Sequence, residues 1–308
     1  MPMRKWMVRG GIFLGVLLAV AGATYYWLID ESHVPSGARF ALDIGTVRQL
    51  ANSIPGAKPQ QIRVEQLAVL RFPASAVVAG NGWSKSDITV FTYQLVYPDS
   101  TAIVDAGLDQ KLAKEFNGQD FDAQAYTRFS AALAKASLIL ITHEHPDHIG
   151  GLAEQPNLHD LLRAVRLTQE QVSHPEYFAP VVFPPGTFDG YKPLEYGDYK
   201  AIAPGMVLIK APGHTPGSQM VFVQMADGTE FLFLGDVAWH MENVDRIRER
   251  NRLTTWLMTK ENREQVFGQL VTLHNLHANE PGIHLVPGHD GAVIDALVTE
   301  KLMVREFE

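Results

Sequence analysis

Thr142-His143-Glu144-His145-Pro146-Asp147-His148-Ile149-Gly150-Gly151 follows directly on the apolar run Leu138-Ile139-Leu140-Ile141. The run is short, continuous and aliphatic, which is how a strand buried on both faces reads. Its end delivers His143, His145, Asp147 and His148 within six residues. A polar turn with incidental histidines is the plain alternative. Packing gives no reason to gather such groups at a strand end, where burial without a partner costs free energy, whereas a metal ion uses them all.

Three further strand ends repeat the pattern. Ala211-Pro212-Gly213-His214-Thr215-Pro216-Gly217-Ser218 follows one apolar segment, Gly235-Asp236 a second, and Pro287-Gly288-His289-Asp290 a third. With the opening stretch they offer seven nitrogen or oxygen donors, more than one ion needs. Cysteine is absent, which excludes disulfides and thiolate ligands. Seven such donors suit two divalent ions, with three imidazoles on one, two imidazoles and a carboxylate on the other, and a carboxylate shared. Zinc suits this set, and manganese, iron or cobalt remain chemically open. Two ions a few ångströms apart trap a bridging hydroxide at neutral pH, polarise a carbonyl or phosphoryl oxygen and stabilise a leaving alkoxide. The chemistry favoured is hydrolysis.

Outward from these turns, the N-terminus carries Arg4, Lys5 and Arg9, then an uncharged stretch from Gly10 to Ile29 closed by Asp30 and Glu31. Twenty residues of helix reach about 30 Å, the hydrocarbon thickness of a bilayer. Residues 1–30 are therefore expected to be a signal peptide or membrane anchor. The basic flank stays on the cytoplasmic side, and the body goes to the periplasmic or extracytoplasmic face. Ala21-Gly22-Ala23 fits a cleavage site, while Tyr25, Tyr26 and Trp27 fit the interfacial belt of an uncleaved transmembrane anchor. Residues 31–60, rich in proline and glycine, read as a linker with one short helix at 44–51.

The catalytic domain is expected over 61–308. Strand-like segments at 62–70, 76–78, 88–97 and 101–104, separated by turn residues, predict an antiparallel meander, and 121–136 a helix. A helix interrupted at Pro156 is expected over 150–162, and a short strand over 165–168. Residues 174–205 hold Tyr177, Phe178, Phe183, Phe188, Tyr191, Tyr196 and Tyr199 among six prolines. Such a segment is no regular helix; it is a packed excursion or a substrate-facing flap. Strands are expected at 206–210, 220–224, 230–234 and 284–286, and helices at 261–277 and 292–303. The charged run 245–250 reads as a solvated helical face.

The chain of 308 residues is long enough for one large domain, with 46% apolar and 19% charged residues, as in ordinary folded proteins. A net charge of −8 without a basic cluster in the body excludes long nucleic acids as partners, which leaves a small-molecule substrate. Oligomeric state is not readable.

His143-x-His145-x-Asp147-His148 followed in order by His214, Asp236 and His289 resembles the metallo-β-lactamase-fold superfamily over roughly residues 61–300. The resemblance implies an α/β fold, a four-layer αβ/βα sandwich with two β-sheets face to face and helices outside. It also implies that His143, His145 and His214 bind one metal, that Asp147, His148 and His289 bind the other, and that Asp236 bridges. Asp105, in Val104-Asp105-Ala106-Gly107, resembles the family aspartate that orients a ligand histidine. Asp236 speaks against a β-lactam hydrolase, where that position is usually Cys or Ser. The Pro-Gly-His-Thr-Pro-Gly turn, Glu242-Asn243, Gly288-His289-Asp290 and the Glu176-Tyr177 pair look more like N-acyl-homoserine lactone lactonases. In those enzymes a tyrosine often stands three residues after the bridging aspartate and holds the substrate carbonyl. Here the residue is Trp239, which donates but does not accept; the substrate differs or a neighbour supplies the contact. Trp239, His240 and Tyr177 are the candidates for substrate contact.

The expected activity is a zinc-dependent, lactonase-like hydrolase in which a metal-bridging hydroxide opens an ester or lactone, with Asp147 and Asp236 as catalytic carboxylates. The alternatives are a phosphodiester or thioester hydrolase of the same fold, a β-lactam hydrolase, a mononuclear-iron persulfide dioxygenase, or a binding domain without activity.

Overall fold

A computed structural model describes residues 2–116, 118 and 120–308. The side chains of Arg4 and Lys5, in the basic flank, lie outside the described part. Ten strands are described: β1 Gln61–Pro73, β2 Lys85–Val96, β3 Thr101–Val104, β4 Leu138–Leu140, β5 Tyr199–Ala203, β6 Met206–Lys210, β7 Gln219–Gln224, β8 Glu230–Gly235, β9 Ile283–Pro287 and β10 Val304–Arg305. They form two five-stranded sheets in the orders β10-β1-β2-β3-β4 and β5-β6-β7-β8-β9.

The two sheets are built alike. Each contains an antiparallel meander with a parallel strand at one edge, β4 beside β3 and β9 beside β8, and the first sheet adds a second parallel strand, β10 beside β1. A parallel neighbour requires a crossover, and helices supply it: Ala123–Leu133 between β3 and β4, Arg263–Asn279 between β8 and β9. Asp122 caps the first by accepting from Gln124 and Ala125, and Asn262 caps the second by accepting from Gln265.

Strand alternation explains the layering. On β6, β7 and β8, Met206, Leu208, Val221, Val223, Phe231 and Phe233 face the other sheet and meet Ile62, Val64, Tyr93, Leu95 and Val104. Their sequence neighbours Val207, Ile209, Met220, Phe222, Leu232 and Leu234 face outward, under helices Ile44–Ala51 and Arg263–Asn279. Behind the first sheet, Ile103, Ile139 and Ile141 pack against Phe129, Leu133, Ile149 and Leu152. Because both faces of these strands are covered, their sequences are apolar throughout rather than alternating. The result is helix, sheet, sheet, helix, the expected α/β sandwich.

Several local expectations change. Residues 76–78 are no strand: Ala74–Val77 is one helical turn that reverses the chain between β1 and β2. Residues 165–168 make only isolated bridges, Ile139 to Val165 and Thr168 to Leu194. The helix expected from 150 starts earlier, at Pro146, so Asp147 and His148 sit in its first turn. The expected helix over 292–303 stops at Thr299 and the chain goes on to pair β10 with β1. The run 245–250 is not a solvated face, since the helix Met241–Arg246 ends within it and Glu249 and Arg250 are fully buried. Within residues 31–60, Val47 and Ala51 of the helix Ile44–Ala51 are fully buried, and Arg48 pairs with Glu230 at 2.7 Å.

The N-terminal helix runs from Pro2 to Tyr25 and continues as a wider turn to Asp30. Over Trp6–Asp30 it is long and apolar enough to cross a membrane, with mean hydropathy 2.0.

Candidate metal centre and active-site cavity

The ends of β3, β4, β6, β8 and β9 converge on one edge of the sandwich and carry Asp105, the 143–148 motif, His214, Asp236 and His289 respectively. β3 runs parallel to β4, and β6, β8 and β9 run the same way as one another, so each sheet brings its donor-bearing turns to one of its edges. Two close approaches let the turns meet. A Cβ on Gly151 would stand 2.1 Å from the carbonyl oxygen of Ala106, and one on Gly288 would stand 2.3 Å from Oδ1 of Asp236. Neither position accepts a side chain.

The donors fall into two sets. His143, His145, His214 and Asp236 form one, and Asp147, His148 and His289 the other, each with donor atoms within 4.8 Å of one another. Asp236 faces both. Its Oδ2 lies 3.6 Å from His143 Nε2 and 3.3 Å from His214 Nε2, and its Oδ1 lies 3.2 Å from His148 Nε2 and 3.1 Å from His289 Nε2. Within the sets, His145 Nδ1 is 2.9 Å from His214 Nε2, His148 Nε2 is 3.4 Å from His289 Nε2, and Asp147 Oδ2 is 3.5 Å from His289 Nε2. A tetrahedral zinc site with bonds of 2.0–2.1 Å has ligand–ligand edges of about 3.3 Å. The spacings in both sets scatter about that value. His143 Nε2 and Asp236 Oδ1 are buried and form no hydrogen bond of acceptable geometry. The donor set therefore fits two divalent ions.

The outer ring nitrogens are held. His148 Nδ1 meets Asp105 Oδ2 at 2.9 Å, His214 Nδ1 meets Glu261 Oε2 at 2.9 Å, and His289 Nδ1 meets the carbonyl of Thr89 at 2.9 Å. Each acceptor keeps a proton on Nδ1 and turns Nε2 inward, where its lone pair becomes available once the ring is neutral. Asp105 adopts a left-handed backbone, φ 61°, and its carboxylate accepts from the Thr142 amide at 2.6 Å and hydroxyl at 2.9 Å. Glu261 is itself held by Arg250, whose Nη2 lies 2.6 Å away, both side chains being fully buried. Glu144, between the two histidines of the motif, accepts from Thr215 Oγ1 and the Gly217 amide, and so ties the β4 turn to the β6 turn that bears His214.

Electrostatics separates the rings into two kinds. Burial, reinforced by neighbouring imidazoles, holds His143 and His145 well below the ordinary histidine value, so both are neutral. Burial also opposes charge on His148 and His289, but the carboxylates outweigh it, chiefly Asp236, and hold both above that value. Asp236 is buried too, yet the fields of His289, His148 and His143 keep its carboxyl well below the usual range. Without metal, His148 and His289 thus hold their protons to higher pH than an ordinary histidine. The stabilisation from that charge is complete below the ordinary histidine pKa and fades as pH rises through the raised values. A divalent ion must displace these protons. Calorimetric titration of the metal-free protein at pH 7 in buffers of different ionisation enthalpy should show net proton release. An enthalpy independent of buffer would contradict the assignment.

A cavity of about 360 Å³ opens on the two sets, with His145, Asp147 and Asp236 at its floor. Leu70, Phe72, Ile88 and Phe116 form one apolar wall, Glu176, Tyr177 and Ala179 a second, and Leu257, Met258, Thr259 and Lys260 the rim. The aromatic segment 174–205 divides its work. Phe178, Phe183, Phe188 and Tyr191 pack together behind the first sheet, while Tyr177 comes within 5.8 Å of the His145 ring.

Trp239 lines the cavity, but its indole N–H donates to Asp236 Oδ2 at 2.6 Å, and the Arg250 guanidinium stacks on its ring at 5.0 Å. His240 is not among the lining residues; its Nε2 lies 2.8 Å from the carbonyl of Asp87. Asn243 is structural, accepting from the Trp239 and His240 amides and so holding the turn after Asp236. Reading the sequence missed Glu261 and Arg250. Neither stands in a motif, and an isolated Glu before a helix reads as an ordinary first-turn acid.

The sequence pattern of the Metallo-beta-lactamase superfamily matches residues 86–298, and the chain belongs to that superfamily. It is a hydrolase of that type, similar in its motifs to lactonases. Among individual proteins it is similar to an N-acyl homoserine lactonase of a Bacillus sp, 25% identical over 175 residues, covering 52% of this chain and 68% of that protein. A Bacillus thuringiensis N-acyl homoserine lactonase is likewise 25% identical, over 176 residues. A solved N-acyl homoserine lactone hydrolase, with N-hexanoyl-L-homoserine bound at its catalytic metal center, superposes with a TM-score of 0.59 at 19% identity. The match covers 78% of this chain and 96% of that one; at such identity the likeness is one of fold.

Proposed function

We propose that the protein hydrolyses a carboxylic ester, a lactone foremost, with two divalent ions, zinc first. The ions would be held by His143, His145 and His214 and by Asp147, His148 and His289, with Asp236 shared. The observation that carries this reading is that the Asp236 carboxylate reaches imidazole nitrogens of both donor sets, Oδ1 those of His148 and His289 and Oδ2 those of His143, His214 and His289. When bound, such a pair supplies a water-derived nucleophile at neutral pH and Lewis acidity for the substrate carbonyl.

The protein's own residues do the remaining work. The apolar walls exclude water and hold an acyl chain. Trp239 is occupied by Asp236, so its N–H steadies the shared carboxylate rather than the substrate. Tyr177, half-buried in the cavity wall near His145, is the hydroxyl placed to donate to a carbonyl oxygen. Asp147 lines the cavity, and its Oδ1 is the atom assigned to carry the proton from water to the departing alkoxide. Ring opening then balances: one water is consumed, its oxygen ends in the carboxylate, one of its protons ends on the new hydroxyl and the other is released to solvent. The apolar N-terminal helix supports placing this body on the extracytoplasmic side.

The test is a panel of N-acyl homoserine lactones, simple aliphatic lactones, aryl esters and bis(p-nitrophenyl) phosphate, assayed with metal-loaded and chelator-treated protein. Turnover of lactones or esters that chelation abolishes is expected. Turnover of the phosphodiester alone would replace the reading, and no turnover by fully loaded protein would end it.

A further inference from the structure

The N-terminal helix does not leave the body as a free tether. Ile29 is buried and its carbonyl accepts from the Gly80 amide at 3.1 Å, while the carbonyl of Asp30 accepts from Arg248 Nη2 at 2.7 Å. Glu31 pairs with Arg252, whose guanidinium stacks on Trp27. The outer end of the helix is thus clamped, and its direction relative to the body is set.

Two tryptophans of the body lie level with that end. Trp83 Nε1 donates to the Tyr25 hydroxyl at 2.9 Å, and the Trp256 ring meets Trp27 edge-on at 5.2 Å. Beside Trp256, Leu257 is 73% exposed, with Met258 and Leu253 exposed as well. A single exposed leucine is ordinary, but a contiguous apolar corner is a surface that something covers. Leu257 and Met258 also form the rim of the cavity over the metal centre.

A helix of this length crossing a bilayer brings residues 25–27 to its far interface, about 30 Å from the basic flank. Side chains that touch Tyr25 and Trp27 lie at the same depth, and tryptophan favours that level. We infer that the body docks on the phospholipid surface through Trp83 and the corner 253–258, with the rim of the cavity in the headgroup layer. The site then takes an amphiphilic substrate whose apolar tail remains in the bilayer. The continuity of the corner with the apolar helix commits it to lipid rather than to a protein partner. The word substrate rests on the hydrolase reading; the docking does not.

The absence of cysteine makes the test clean. Leu257→Cys and Ser100→Cys each create one labelling site, the second in the turn between β2 and β3, at the edge away from the metal centre. The full chain, labelled with bimane, is reconstituted in vesicles of phosphatidylcholine and phosphatidylglycerol containing lipid with a shallow doxyl quencher. Several-fold stronger quenching at 257 than at 100 is expected. Equally weak quenching at both, or equally strong quenching at both, overturns the inference. Leu253→Cys provides a second probe of the same corner. No turnover enters the readout, so a protein inactive on every ester but quenched at 257 keeps the docking and loses the hydrolase reading.

Discussion

Asp236→Ala is expected to leave the protein unable to hold two ions, with metal content falling to one per chain or fewer and ester or lactone turnover falling at least about a thousandfold. The reason is geometric. The two oxygens of Asp236 lie between 3.1 and 3.6 Å from four imidazole nitrogens drawn from both donor sets. His145→Ala provides the contrast. It removes one donor from the first set and none from the second, so about one ion should remain while activity is lost, as a step that needs both ions requires. Elemental analysis after exhaustive dialysis, paired with initial rates, checks both variants. An Asp236→Ala protein with two ions and ordinary rates would remove the shared carboxylate from the proposal.

The second large effect concerns Arg250 and Glu261. Arg250→Met leaves the Glu261 carboxylate buried without its cation, and breaking a buried pair from one side costs about 3–5 kcal/mol. Neighbouring Arg250 is what holds Glu261 ionised against its burial. In the double variant Arg250→Met, Glu261→Leu, no charge is stranded, and most of that stability should return. Metal affinity should not return with it, because His214 Nδ1 has lost its acceptor; a loss of about 10–100-fold is expected. Urea denaturation and competitive metal titration measure the two separately. If the single variant lost under about 1 kcal/mol, the pair would not be the buried support described.

The donors were legible because each stands directly after an apolar strand segment, in a short turn bounded by glycine or proline. Strand ends in a sandwich of this order come together, so the order His143, His145, Asp147, His148, His214, Asp236, His289 already carried the site. Other features were not legible for identifiable reasons. Ala76 and Val78 have strand composition, yet in the connection between the two long strands the segment Ala74–Val77 closes as a helical turn. Glu249 and Arg250 look like solvated charge because local periodicity cannot show that Arg263 and Glu261 wait on the next element to pair with them. Trp239 announced a departure from the lactonase pattern, but only its contact with Asp236 shows where its single N–H is used.

From the sequence by itself come the chemical types of the seven donors, the exclusion of thiolates and the apolar N-terminal helix, which follow from composition and short-range periodicity, properties of neighbours along the chain. The two-sheet architecture was implied by the family resemblance that the order of the donors carries. Tertiary structure alone decided that Glu261 and the Thr89 carbonyl orient His214 and His289, how Asp236 reaches both sets, and that the cavity rim adjoins the foot of the helix. Those features join residues that meet only when both sheets close, such as Thr89 with His289 or Trp27 with Trp256. Side-chain partnerships at that separation depend on the packing of whole layers, and no local pattern encodes them.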